Sequence, residues 1–180
     1  MKRMVLDTRV LVEAAVAVAL AAVLGLVRIF RLPQGGSVSL EMLPLYYIAL
    51  RRGGWVGVLA GAVYGLVDLA IDPYVIHPVQ LILDYPLAFA LLGVSGFFPR
   101  RPLVGVTLGT VGRYLSHLLS GVIFFASYAP AGQNVWAYSA VYNASYLAPE
   151  LVIGLILMAI LLNRQAVFPR SQMQEGNRRP

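Results

Sequence analysis

Residues 51–71 read RRGGWVGVLAGAVYGLVDLAI. Two arginines and two glycines give way to an apolar run, Gly54 to Ile71, whose only charges are Asp68 and whatever its flanks supply. Wound as a helix at ~1.5 Å per residue, such a run comes close to the ~30 Å of hydrocarbon in a bilayer, and a helix satisfies every backbone group internally. Gly57, Gly61 and Gly65 recur every fourth residue and mark one close-approach ridge, where missing side chains let two backbones meet. The stretch therefore predicts a packed transmembrane helix with a basic entry.

The same pattern recurs on both sides. Val10 to Val27, Val79 to Phe98, Leu103 to Phe125 and about Tyr142 to Leu162 are each near the ~20 residues a span requires. A further run, Val38 to Leu50, would reach only ~20 Å, and reads as a short helix entered by an extended loop or as a re-entrant segment; it is counted as a short second span. The first run is too long, and lacks the small-residue cleavage pattern, for a removable signal peptide. The chain has 180 residues, of which 59% are hydrophobic and 12% charged, with mean hydropathy +0.74. Those values exclude an ordinary soluble domain. The expectation is an all-α integral membrane protein of six transmembrane helices, one domain over 1–168, with a basic cytoplasmic tail at 169–180.

Six spans put both termini on one side. Lys2, Arg3, Arg9, Arg51, Arg52, Arg100, Arg101, Arg164, Arg170, Arg178 and Arg179 all fall there, which makes that side cytoplasmic. The opposite side holds Arg28 and Arg31 in its first loop. The net charge of +6 is thus a topological signal suited to an anionic inner leaflet, and implies no nucleic-acid partner. Without cysteine there is no disulfide, thiolate catalysis or cysteine metal site.

Gly105, Gly109 and Gly112 give the fifth span a small-residue ridge of its own. In the first span Ala15, Ala19 and Ala22 form a smooth stripe that Ala14, Ala17 and Ala21 broaden; it suits either internal packing or docking of a separate membrane subunit.

Polar residues at membrane depth are costly, and they fall into three stripes in the outer halves of three spans. His77, Gln80 and Asp84 share one face with Tyr85 beside them. Arg113, His117, Ser120, Gly121 and Phe124 form the second, flanked by Phe125, and Ser139, Asn143, Tyr146 and Glu150 the third, with Tyr138 and Tyr142 near it. They converge on one cavity open to the outside. Asp84 is either a structural partner of Arg113 or a ligand contact, because an isolated carboxylate in hydrocarbon finds a cation or a proton. Asp68 and Asp72 read as loop-end or structural carboxylates, Glu13 and Glu41 as solvated near span ends, and Tyr128, Trp136 and Tyr138 as either pocket rings or an interfacial belt.

The chain has no phosphate loop, no HExxH and no GxSxG, and its only lysine is Lys2. It cannot hydrolyse ATP by itself, and two histidines without zinc spacing make an intramembrane enzyme the weaker alternative. A carboxylate, an imidazole, an amide and aromatic faces in a dry cavity suit a planar heteroaromatic carrying hydrogen-bonding groups and a positive charge.

The runs SLEMLPLYYIALRRG at 39–53, QLILDYPLAFA at 80–90, HLLSGVIFF at 117–125, YAP at 128–130 and YSAVYN at 138–143 together resemble the thiamine-specific substrate-binding subunit, or S component, of energy-coupling-factor vitamin transporters. The resemblance covers nearly the whole chain. It implies the six-helix S-component fold in a bacterial or archaeal cell membrane, with thiamine as ligand, no cofactor, and a cavity roofed by the loop between the first two helices. It also implies a transmembrane coupling subunit docked on Ala15 and Ala19, joined to two cytoplasmic ATPases. Family binding positions fall on Asp84, Tyr85, His117, Gly121, Phe125, Tyr138 and Asn143, with Tyr74 a weaker match. Asp84, His117 and Asn143 would hydrogen-bond the aminopyrimidine, aromatic residues would stack on the rings, and Tyr138 and the Gly121 backbone would lie near the hydroxyethyl end. The chain departs from the family at Asp84, where glutamate is usual, and at Phe125 and in the first loop, where tryptophans are usual. These departures leave open a related ligand such as the thiamine-precursor pyrimidine. Trp136, in the outer loop, is expected to supply a missing ring.

Overall fold

A computed structural model describes residues 7–33 and 35–164. Lys2, Arg3 and the expected tail at 169–180 lie outside the described residues.

Among the described residues six helices form the bundle. α1, Thr8–Leu26, starts at Asp7, whose carboxylate accepts from Arg9 N. A two-residue antiparallel ribbon follows, β1 Phe30–Arg31 and β2 Ser37–Val38, in the register Phe30 to Val38. The short second span is thus a helix entered through an extended segment: α2, Met42–Arg52. Gly53, at φ 97, is the single residue between it and α3, Gly54–Ile71; a side chain is disfavoured in that left-handed region. α4, Pro78–Phe97, is continuous but irregular, widening to π geometry over Leu83–Leu87 and tightening to a 3₁₀ turn over Gly93–Phe97. Pro86 lies within the wide turn, which accommodates the loss of the hydrogen bond that a proline cannot donate. α5 is Pro102–Phe124 and α6 is Val135–Leu162.

α1, α3, α4 and α6 are long and apolar enough to cross a membrane. α5 is as long, but Thr107, Thr110, Arg113, Ser116, His117 and Ser120 dilute its hydropathy. The fold is therefore the expected all-α membrane architecture with a short second helix. One boundary differs: α6 begins at Val135 rather than near Tyr142, because the Asn134 side chain accepts from Trp136 N and Ala137 N and caps the helix there.

The glycine ridges pack inside the bundle. A methyl at Gly61 would overlap Phe89 O, and one at Gly65 would overlap Tyr85 O, so α3 lies directly on the α4 backbone. Gly105 and Gly109 bring α5 to the other side of α4, against Ser95 and Leu92. Tyr46, Tyr64, Phe89, Leu92 and Met158 fill the centre, where the Tyr46 and Thr110 hydroxyls meet at 2.7 Å.

The α1 alanines divide. Ala17 and Ala21 are buried and Ala14 and Ala22 pack against the core, whereas Ala15 and Ala19 stay exposed between Val12, Val16, Leu20 and Val23. The expected stripe is therefore half interior.

Glu13 keeps partial exposure near the span end, as expected, and is also ion-paired. Arg52 Nη2 and Nε reach its two oxygens at 2.5 and 2.6 Å, Arg51 Nε approaches to 3.2 Å and Arg9 to 3.4 Å. The cluster ties α1 to α2 at the end of the bundle carrying the basic loops.

Candidate functional site

At the opposite end, where α1, α3 and α5 finish and α4 and α6 begin, a cavity of about 280 Å³ opens. All eight positions that the family resemblance implies line it: Tyr74, Asp84, Tyr85, His117, Gly121, Phe125, Tyr138 and Asn143.

Asp84 sits in the widened turn of α4, facing α5. Its Oδ2 accepts from Gln80 Nε2 at 2.7 Å and from Ser120 Oγ at 2.8 Å, and its Oδ1 lies 3.1 Å from His117 Nδ1. On the other side of the imidazole, Arg113 Nε donates to His117 Nε2 at 3.3 Å. A guanidinium has no acceptor, so Nε2 is unprotonated and the proton lies on Nδ1, directed at Asp84. The Asp84 carboxylate is thus presented by three donors and, among the described residues, paired with no guanidinium.

Arg113 is occupied elsewhere, which removes the alternative of an Asp84–Arg113 pair. Its Nη2 donates to Glu41 Oε1 at 3.1 Å, its Nη1 lies 3.7 Å from Glu150 Oε2, and its guanidinium covers the Phe89 ring at 4.1 Å. Glu41 is buried, contrary to the solvated role expected of it, and also accepts from Tyr64 at 2.9 Å. A guanidinium at membrane depth requires carboxylate partners, and the residue before α2 and one on α6 supply them. Glu150 belongs to this buried layer rather than to the cavity; Ser39 N and Oγ donate to its Oε1 at 2.9 and 3.3 Å.

Asn143 is held by its own helix and by α5. Its Nδ2 donates to Ser139 O at 2.9 Å and its Oδ1 accepts from Tyr146 at 2.9 Å. Gly121 permits that approach, since a methyl there would overlap Ser139 Oγ.

One wall is aromatic. Phe125 stacks on Tyr74 at 5.8 Å and on Tyr128 at 5.9 Å between centroids. The two tyrosine hydroxyls meet at 2.6 Å, a bond that pushes the Tyr74 phenol pKa up. Tyr85, beneath, accepts from Tyr74 N at 2.7 Å and donates to Asp72 O at 3.0 Å.

The first loop covers the opening. Arg28 and Arg31 fasten it to Asp72 at 2.7 and 3.0 Å, and Tyr142 donates to Gly35 O at 2.7 Å. Gly36, at φ 80, passes so close to the Tyr146 ring that a methyl would not fit.

Two further expectations fail. His77 stays outside the cavity, capping α4 by accepting from Val79 N and stacking on Phe124 at 4.9 Å. Trp136 is 54% exposed and does not line the cavity, so it supplies no ring to it. Tyr128, one of the belt candidates, does line it, as do Arg28, Arg31, Glu41 and Asp68, which the sequence reading left out of the site.

Residues 11–169 match the family described as thiamine transporter protein. The chain is 40% identical over 170 residues to the thiamine transporter ThiT of Bacillus subtilis (strain 168), covering 84% of this chain and 88% of that one. It is 32% identical over 141 residues to the thiamine transporter ThiT of Lacticaseibacillus paracasei, covering 67% and 70%. A solved structure of ThiT from Listeria monocytogenes superposes with TM-score 0.78 at 29% identity, covering 93% of this chain and 99% of the other.

Proposed function

The chain belongs to the thiamine transporter protein family, and from that premise we propose that it is the high-affinity thiamine-binding subunit of an energy-coupling-factor uptake transporter. It is a multi-pass membrane transport protein and not an enzyme.

One observation carries the assignment of the ligand. Among the described residues Asp84 lacks a guanidinium partner, its donors are fixed, and it lies in a cavity walled by Tyr74, Phe125 and Tyr128. The exocyclic amine of an aminopyrimidine suits such an acceptor, with His117 and Asn143 orienting the ring and the aromatic wall stacking on it. The thiazolium is a permanent cation, for which π faces are favourable neighbours. Tyr138 and the backbone at Gly121 attend the hydroxyethyl end.

In this reading residues 1–168 form the binding domain and 169–180 a cytoplasmic tail. Both termini face the cytoplasm of a bacterial or archaeal cell, and the cavity opens outward. A coupling subunit docks against Ala15 and Ala19, both exposed on α1, and two ATPases supply the energy. The vitamin crosses unaltered.

Calorimetric titration of the detergent-purified protein with thiamine and with its isolated pyrimidine tests the reading. Thiamine binding that weakens in both Asp84→Asn and His117→Ala supports it. Saturation by the pyrimidine with no response to thiamine identifies a subunit for the precursor instead.

A further inference from the structure

Four carboxylates line the cavity, and three of them are engaged. Glu41 holds Arg113 and accepts from Tyr64. Asp72 is shared by Arg28 and Arg31. Asp84 accepts from Gln80 and Ser120 and faces His117. Asp68 has neither a hydrogen bond to its carboxylate nor an ion pair among the described residues, although it is half-buried and faces the cavity from α3.

The neighbouring charges leave it uncompensated. Asp68 lies one turn from Asp72 and one turn from Tyr64, on the same face of α3. The cations that act on it are Arg113 and Arg28, and each is committed to another carboxylate. Among the lining residues Glu41, Asp68, Asp72 and Asp84 outnumber Arg28, Arg31 and Arg113. A half-buried carboxylate is costly without a counter-charge, every protein cation nearby is taken, and what remains for it is a proton or the charge of a bound cation.

We propose that Asp68 is a specificity-determining residue: its free carboxylate is the counter-ion for the permanent positive charge of the ligand, and makes the cavity select cations over neutral molecules of the same shape. The proposal rests on the thiamine reading above and adds a role for a residue outside the polar stripes. Asp84 and Asp68 then divide the work. Asp84 recognises hydrogen-bond donors on the neutral ring, and Asp68 recognises charge on the other.

The test compares thiamine with its uncharged isostere, in which carbon replaces the quaternary ring nitrogen, by calorimetry on the full-length wild type, Asp68→Asn and Asp68→Glu. The wild type is expected to bind thiamine at least about tenfold more tightly than the isostere. Asp68→Asn should lose that preference by weakening thiamine alone, and Asp68→Glu should keep it. Equal loss for both ligands in Asp68→Asn, or a preference that survives it, overturns the proposal. So does a wild type that binds the two ligands equally, a measurement that needs no variant to fold. A wild type that binds neither ligand overturns the thiamine reading itself, and this inference with it.

Discussion

Arg113 Nε donates to His117 Nε2 at 3.3 Å, and that bond leaves the imidazole proton for Nδ1, the nitrogen facing Asp84. The guanidinium is held by Glu41, the residue before α2, and by Glu150 on α6. A buried ion cluster thereby fixes the tautomer of a cavity-lining histidine.

Arg113→Met should break both functions of the residue. It leaves two buried carboxylates without their cation, and breaking such a pair costs about 3–5 kcal/mol. Thermal unfolding in detergent should show a large loss of stability. Nitrogen-15 NMR of histidine should show the His117 proton confined to Nδ1 in the wild type and no longer confined there in the variant.

Asp84→Asn retains the size of the side chain but replaces one acceptor oxygen with a donor amide that faces Gln80, Ser120 or His117, all donors here. A charge-assisted bond is worth ~1.5–3 kcal/mol, so thiamine affinity should fall roughly ten- to hundredfold. An unchanged dissociation constant would show that the ligand does not use this carboxylate.

Gly61→Ala should destabilise the bundle by ~1–3 kcal/mol, since the new methyl meets the rigid Phe89 backbone. Gly112→Ala is the control. Its methyl would meet only the Leu91 side chain, at 3.2 Å, which can shift. The melting temperatures should fall in that order.

The fold was legible because hydropathy records burial in lipid directly: the run Gly54 to Ile71 coincides with α3. The first turns of α6 were hidden by an aromatic, amide-rich composition that reads as loop, although Asn134 before them is an N-cap signal. The stripes led to the cavity residues because helical spacing sets which side chains share a face. The same geometry explains the error at Trp136, which lies about 200° around α6 from Tyr138 and so points away from the cavity. Glu41 was misread for another reason. Its partner Arg113 is 72 residues away, and no local pattern announces a pairing across that separation.

Ala15 and Ala19 offer a separation of binding from transport. Both are exposed on α1, and neither lines the cavity. Replacing both with tryptophan should leave calorimetric thiamine binding unchanged while abolishing ATP-dependent uptake in vesicles carrying the whole complex. Uptake at the wild-type rate would show that no coupling subunit docks on this face.

Phe125 stands between Tyr74 and Tyr128 and lines the cavity, so it is the central ring of the aromatic wall that a bound cation would meet. Tryptophan presents a larger and more electron-rich face than phenylalanine, and a desolvated cation–π contact is worth up to ~2 kcal/mol. Phe125→Trp should therefore tighten thiamine binding several-fold, and Phe125→Ala should weaken it by tenfold or more. Trp136→Ala, outside the cavity, should leave affinity unchanged. Calorimetry on the three variants decides the matter: if Phe125→Ala binds as the wild type does, the stacking wall has no part in recognition and the hydrogen-bonding floor around Asp84 must supply the affinity alone.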